Sequence, residues 1–263
     1  MPSENFEKVI SMLQKARYPV AFTGAGMSSE SGIPTFRDSS AALWDDFDAK
    51  VLSSAEGFSK YPERVFGWHV WLMAQIQHAS PHKGHKALSD MQAIWPNLKI
   101  VTQNVDNLHE RAGNTNVFHL HGDIFALRCA RSNCRRPYTG FTIPDDARFN
   151  PELTLQPPQC TCGALVRHHV VFFGENLPAK PWKAAHSAML FADVVLVIGT
   201  SGVVYPAASL VKIAKEQGAF IIEINPKATD LSLDTDLSLF SGAADTLDLI
   251  SKRLIGYSAP TSS

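Results

Sequence analysis

Three stretches of this chain carry side chains able to do chemistry at spacings that suit it, and a fourth could hold a metal. In "TGAGMSSESGIPTFRD" (residues 23–38) the turn Gly24-Ala25-Gly26 opens like a dinucleotide fingerprint, whose glycines let backbone N–H groups close on a pyrophosphate. Ser29 stands where that fingerprint has its third glycine, so the turn alone is weak evidence. Arg37, following the rigid Pro34, can clamp a phosphate or ribose or make a surface ion pair. Ile33 and Phe36 have no periodic apolar partner and suit a closing loop that packs on a flat ring. "TQNVDN" places Gln103, Asn104 and Asp106 at a strand end, with Asn104 and Asp106 on one face by the period of two. A carboxamide beside a carboxylate recognises an amide or ribose hydroxyls; a simple helix-capping turn is the alternative. "FHLHGD" offers His119 and His121, and a histidine before a glycine at a strand-to-loop junction suits proton transfer near neutral pH. An ordinary surface or core histidine would look the same. No G-x-S-x-G elbow accompanies them, against a serine hydrolase.

All four cysteines lie in one stretch: Cys129 and Cys134 as C-x4-C, Cys160 and Cys162 as C-x-C. Two close pairs separated by a loop poor in apolar residues suit a tetrahedral structural zinc, with no coordination position left open for catalysis. The alternatives are a disulfide, for which nothing indicates an oxidising compartment, and free buried thiols.

The elements that position these groups are short apolar runs: "PVAFTGAG" (19–26), "KIVTQNVDN" (99–107), "VVFFGE" (170–175), "VVLVIGTSG" (194–202) and "AFIIEINP" (219–226). Their near-continuous hydrophobicity implies burial on both faces, as in a parallel sheet, and helical patterns lie between several of them. The expected fold is α/β, a doubly wound Rossmann-like sheet with ligands gathered at the strand carboxyl ends. Gly24/Gly26, Gln103/Asn104/Asp106, Gly174/Glu175, Thr200/Ser201 and Asn225 should all fall there. With 263 residues, 24 basic against 25 acidic side chains and no basic block, a nucleic-acid or membrane-surface partner is not expected. No run approaches the roughly 20 apolar residues of a membrane span. The first residues read as an amphipathic helix and not a signal peptide, so a cytoplasmic monomer is expected.

Taken together, "GAGMSSESGIPTFRD", "TQNVDNLHERAG", "HLHG", the four cysteines, "HHVVFFGE", "GTSGVVYPA" and "EINP" resemble the sirtuin family, NAD-dependent protein lysine deacylases, over residues of about 20 to 245. The resemblance implies a Rossmann-like NAD domain from residues 1–35, 90–126 and 169–257. It also implies a cofactor loop and helical module at 36–89, a zinc module at 127–168 and a flexible tail at 258–263. NAD would be a consumed co-substrate, which explains a phosphate turn that runs on into a closing loop. Its contacts would come from Gly24, Ala25, Gly26, Ser28, Ile33, Phe36, Arg37, Gln103, Gly199, Thr200, Ser201, Asn225, Pro226 and Ala243, with Asn104 and Asp106 lining the nicotinamide pocket. His121 would be the general base, acting through the ribose hydroxyls. Val171, Phe172, Gly174 and Glu175 on one side and Val203 and Val204 on the other would sandwich the acyl-lysine peptide as an added strand. Zn2+ would be structural, on Cys129, Cys134, Cys160 and Cys162. One departure concerns the acyl pocket: where the family's bacterial and mitochondrial class carries Tyr-x-x-Arg, an ungapped alignment places His69 and Leu72 in this chain. The alternative is that "WHVWLM" is only the buried face of a helix and the pocket wall lies elsewhere. Losing that pair should cost acidic acyl groups about 2–5 kcal/mol, leaving acetyl and other neutral acyl groups as the expected substrates. The competing expectations are ADP-ribosyl transfer or NAD glycohydrolysis on the same scaffold, a non-catalytic NAD sensor, and a dehydrogenase.

Overall fold

The computed structural model describes residues 4–35 and 49–258. Its elements run α1 (Glu4–Lys15), β1 (Pro19–Thr23), α2 (Ala25–Ser29), α3 (Ala49–Leu52), α4 (Ala55–Lys60), α5 (Pro62–His78) and α6 (Lys83–Ile94). Then come β2 (Lys99–Thr102), α7 (Leu108–Arg111), β3 (Val117–His119), β4 (Gly122–Cys129), β5 (Pro137–Tyr138) and β6 (Val166–Val170). The chain closes with α8 (Ala179–Phe191), β7 (Val194–Ile198), α9 (Ser209–Glu216), β8 (Phe220–Asn225), β9 (Leu237–Phe240) and α10 (Ala243–Ser258). Six strands form a wholly parallel sheet in the order β3-β2-β1-β7-β8-β9, with the order reversing beside β1.

The pleat sorts the apolar residues. Ala21, Ile100, Leu196 and Ile222 face a core closed by α1, α6 and α10 through residues such as Val9, Leu88 and Leu247. Val20, Phe22, Val101, Val195 and Ile221 face the opposite core, closed by α8 and α9 through Met189 and Leu210. All five residues of β1 and of β7 are buried, as double-sided coverage demands. No helix among the described residues is long and apolar enough to cross a membrane.

A second, antiparallel sheet, β5-β4-β6, begins at Gly122 and packs against α5. Here the sequence expectation needs correcting. "VVFFGE" is not a strand of the parallel sheet: β6 ends at Val170 in the small sheet, and residues 171–175 form an irregular segment turned by Gly174 at φ +86. The apolar run is explained by α5 instead, since Phe172 is buried against Phe58 and His69. Periodicity cannot separate such a run from a sheet strand. Gly174 and Glu175 therefore do not end a strand of the parallel sheet, and β3 and β9 are edge strands with little sequence signal.

The helical module and the cysteine module meet at one tight point. A Cβ on Gly67 of α5 would lie 2.0 Å from the Leu153 carbonyl oxygen, beside the bond from Leu155 N–H to Glu63 O at 3.0 Å. Gly67→Ala is expected to destabilise the protein by about 1–3 kcal/mol through overpacking, measured as a lower denaturation midpoint. An unchanged midpoint would contradict this contact.

Candidate functional site

The polar residues converge at the carboxyl edge of the parallel sheet, around the point where β1 and β7 end. Three glycines meet there. Gly24 N–H donates to Ile198 O at 3.0 Å and Gly26 N–H to Gly199 O at 2.8 Å. The expectation that these two N–H groups close on a pyrophosphate is therefore corrected: both are already bonded within the protein. The glycines are needed for approach, since a Cβ on Gly24 would sit 2.7 Å from Thr200 Cβ and one on Gly26 2.8 Å from Gly199 Cα. Ala25 between them is exposed at the start of α2.

Beyond β2 the chain leaves the sheet. Asn104 and Asp106 come together through an irregular loop and not through the pleat, because the strand ends at Thr102. The meeting point is the buried Ser28 on α2: its hydroxyl donates to Asp106 Oδ2 at 2.8 Å and accepts from Asn104 Nδ2 at 3.0 Å. Asn104 Nδ2 also donates to Gly24 O at 3.0 Å, while Asp106 Oδ1 accepts from Leu108 N–H at 3.0 Å. Burial raises the Asp106 pKa above the usual carboxylate value, against the lowering effect of its bonds from Leu108 and Ser28. Gln103 Nε2 reaches Thr200 Oγ1 at 2.8 Å, and Asn225 Nδ2 reaches Thr200 O at 3.1 Å, so the ends of β2, β7 and β8 are tied together. Ser201 is half-buried beside Thr200, and Pro226 is exposed beyond β8. Ala243 is buried at the start of α10. Ile33 is buried in the smaller lobe's core; Phe36 and Arg37 lie outside the described residues.

His121 donates from Nδ1 to Gln103 O at 2.8 Å, which leaves Nε2 as the lone-pair nitrogen. Burial lowers its pKa despite that bond, so the ring is neutral and able to take a proton at neutral pH. Its carbonyl accepts from Val171 N–H at 2.8 Å, placing the 171–175 segment beside it. That segment is held by Arg167, which the sequence reading missed. Its guanidinium makes two bonds to Glu175, at 2.9 and 2.7 Å, stacks 3.7 Å over the Phe172 ring and donates to Val170 O. A charge inside the apolar run "LVRHHVV" was the available signal, since arginine is buried only when paired. Across the edge, Val203 is 44 % exposed and Val204 half-buried.

His69 and Leu72 are buried on α5. His69 donates from Nδ1 to Val65 O at 2.7 Å, stacks on His168 at 5.2 Å and touches Phe172. Burial, helped by the nearby Arg167 charge and opposed by the bond to Val65 O, pushes its pKa down to about 4.

In the smaller lobe the four Sγ atoms lie within 4.8 Å of one another, with Cys129–Cys162 at 3.4 Å and Cys134–Cys160 at 3.9 Å. Bonds of about 2.3 Å to zinc give a tetrahedron with edges of about 3.8 Å, so the donor set fits that ion, whereas a disulfide needs about 2.05 Å. Burial pushes the Cys129 thiol up to about 12 while the Cys162 N–H draws Cys160 down to about 6, and a cation is what would hold all four as thiolates.

With this geometry in place, comparison with known proteins is decisive. Residues 24–206 match the Sir2 family model. An NAD-dependent protein deacylase of Mycolicibacterium paratuberculosis is 46% identical over 235 residues, 88% of this chain and 95% of that protein. One of Corynebacterium glutamicum is 40% identical over 256 residues, 95% of this chain and 96% of that protein. Among solved structures, a Sir2 homologue in complex with NAD superposes with a TM-score of 0.86 at 39% identity, covering 95% of this chain and 94% of that one. Sir2Tm bound to a propionylated peptide gives 0.77 at 28% identity, covering 96% and 98%. An α/β sheet whose carboxyl edge gathers an amide, a carboxylate and a neutral histidine, above a lobe with a four-cysteine site, defines the class. The chain belongs to the Sir2 family.

The cysteine site generates a test of its own. Purified protein is expected to carry about one zinc per chain, and Cys134→Ala to lose it together with the protease resistance of the 122–170 lobe. Metal-free protein with an equally resistant lobe would contradict a structural zinc.

Proposed function

We propose that this chain is an NAD-dependent protein lysine deacylase acting on acetyl and other neutral acyl groups, with NAD as co-substrate. The observation that carries the reading is the His121 ring. It is neutral, oriented through Gln103 O, and set between the loop of Asn104 and Asp106 and the segment that begins at Val171. Asp106 is suited to accept the carboxamide N–H of nicotinamide, and Asn104 to fix the loop's approach to Gly24. The acyl oxygen of the modified lysine is suited to displace nicotinamide from the ribose carbon. His121 Nε2 is the base that then takes a proton from a ribose hydroxyl, which attacks the former amide carbon. Addition of water releases the lysine amine and an O-acyl-ADP-ribose. Residues 171–175 and 202–204 are suited to receive the peptide as an added strand, with main-chain pairing supplying affinity. Gly199, Thr200 and Asn225 line the edge for the adenosine half, and a zinc held by Cys129, Cys134, Cys160 and Cys162 would brace the smaller lobe against which α5 packs.

The acyl preference follows from His69 and Leu72. The His69 N–H is spent on Val65 O, the ring is neutral near pH 7, and Arg167 is committed to Glu175, so neither of these two side chains offers a free cation to an acidic acyl chain. Succinyl-lysine peptides are expected to show a kcat/KM at least about 30-fold below acetyl-lysine peptides, the lower end of what losing a charge-assisted pair costs. Succinyl turning over faster would overturn the acyl assignment.

His121→Ala is expected to remove deacylation by about two orders of magnitude or more. The sign for pH is set by burial: a lowered pKa keeps His121 neutral, so wild-type activity should persist on the acid side to a midpoint below the ordinary histidine value of 6.5. A His121→Ala enzyme with wild-type turnover would refute the catalytic role.

A further inference from the structure

The two histidines of "HLH" grip consecutive carbonyls of one loop. His121 Nδ1 donates to Gln103 O at 2.8 Å and His119 Nδ1 to Asn104 O at 2.9 Å. They reach the loop because β3 runs parallel beside β2, with Thr102 opposite His119 and the Leu120 N–H closing on Thr102 O at 2.8 Å. His119 alone has a second anchor: its Nε2 lies 2.8 Å from Glu110 Oε1 on α7.

Both partners of the His119 ring, a carbonyl and a carboxylate, can only accept. A neutral imidazole has one N–H and cannot serve both, so the contacts themselves require an imidazolium. Burial opposes the charge, but the hydrogen bond and charge of Glu110 prevail and hold the pKa above the ordinary histidine value. The other groups acting on this ring are Asp106, from the loop it holds, and His109 of α7, which burial keeps neutral with a pKa of about 3. The remaining neighbour of β3, α8, presents the apolar Ala185 and Met189 to the core around Phe118.

We propose that His119 is a positioning residue for the NAD-cleaving half of the reaction: by bridging Glu110 and the Asn104 carbonyl it fixes the loop that aims Asn104 and Asp106. The proposal rests on the deacylase reading above and adds a residue that does not touch substrate. A single proton sets the device. Below the ordinary histidine pKa both contacts are made. As pH rises through the raised value the ring loses one N–H, turns a lone pair toward Glu110 or toward Asn104 O, and releases the loop.

The test is the exchange of labelled nicotinamide into NAD in the presence of an acetyl-lysine peptide, between pH 6 and 9, with wild type, Glu110→Gln and His119→Ala. Exchange reverses before the His121 proton transfer and so reads the nicotinamide side alone. In Glu110→Gln the amide can donate to Nε2 of a neutral ring whose Nδ1–H still serves Asn104 O. Wild-type exchange should fall by about threefold or more at alkaline pH, while Glu110→Gln stays level. His119→Ala should run level across the range at about a tenth of the wild-type rate at pH 6, the scale of one charge-assisted hydrogen bond, with the peptide KM changed by less than about twofold. Ring-nitrogen NMR should give His119 a higher titration midpoint in wild type than in Glu110→Gln, whether or not the enzyme turns over. Superimposable exchange profiles, equal midpoints, or a peptide KM that rises as much as exchange falls would each overturn the proposal. Wild type that shows the higher midpoint but consumes no NAD would overturn the deacylase reading and leave the clamp standing.

Discussion

The site depends on one close contact, the approach of the Gly24–Gly26 turn to Gly199. Gly199 has φ +59, and a Cβ there would sit 2.3 Å from Met27 N. No other residue type satisfies both the conformation and the distance. Because the turn is pinned to the end of β7 by two backbone hydrogen bonds, α2 starts at a fixed height above the sheet and Ser28 is carried to a fixed place. Ser28 then ties Asn104 to Asp106, and the loop they share carries the carbonyl that orients His121. The glycines set the frame in which the polar side chains meet.

Around that frame the protein keeps most of its buried ionisable groups uncharged. Burial drives His69, His85, His109 and His121 toward the neutral form and lifts the pKa of Asp106. Charge survives where it is paired. The Arg167–Glu175 fork fixes the segment beside His121, and the His119–Glu110 pair holds the loop on the opposite side. Each is one partner's loss away from an unpaired charge in a half-buried setting, which is why both carry position and not bulk stability.

Much of this was legible in the sequence, for identifiable reasons. Continuous apolar runs marked β1, β7 and β8, because strands covered on both faces leave no alternation to misread. Cysteine spacing marked the thiol cluster, whose four Sγ atoms lie within 4.8 Å of one another and could hold a metal ion. The run "VVFFGE" misled because burial under α5 leaves the same apolar signature as burial in a sheet. Asn104 and Asp106 do come together, but on the hydroxyl of Ser28 and through a loop, not through the period of a strand. The charge of Arg167 inside an apolar run was readable, but the partners of Arg167 and Glu110 were not, because they lie eight and nine residues away, at spacings with no helical or strand periodicity.

If the proposed function holds, this edge couples cleavage of NAD to transfer of the acyl group from lysine. A single-turnover mass balance on an acetyl-lysine peptide measures that coupling directly. The account predicts equal amounts of nicotinamide, free lysine peptide and O-acetyl-ADP-ribose. Nicotinamide appearing with free ADP-ribose, or with ADP-ribosylated protein, while the peptide keeps its acetyl group, would contradict it.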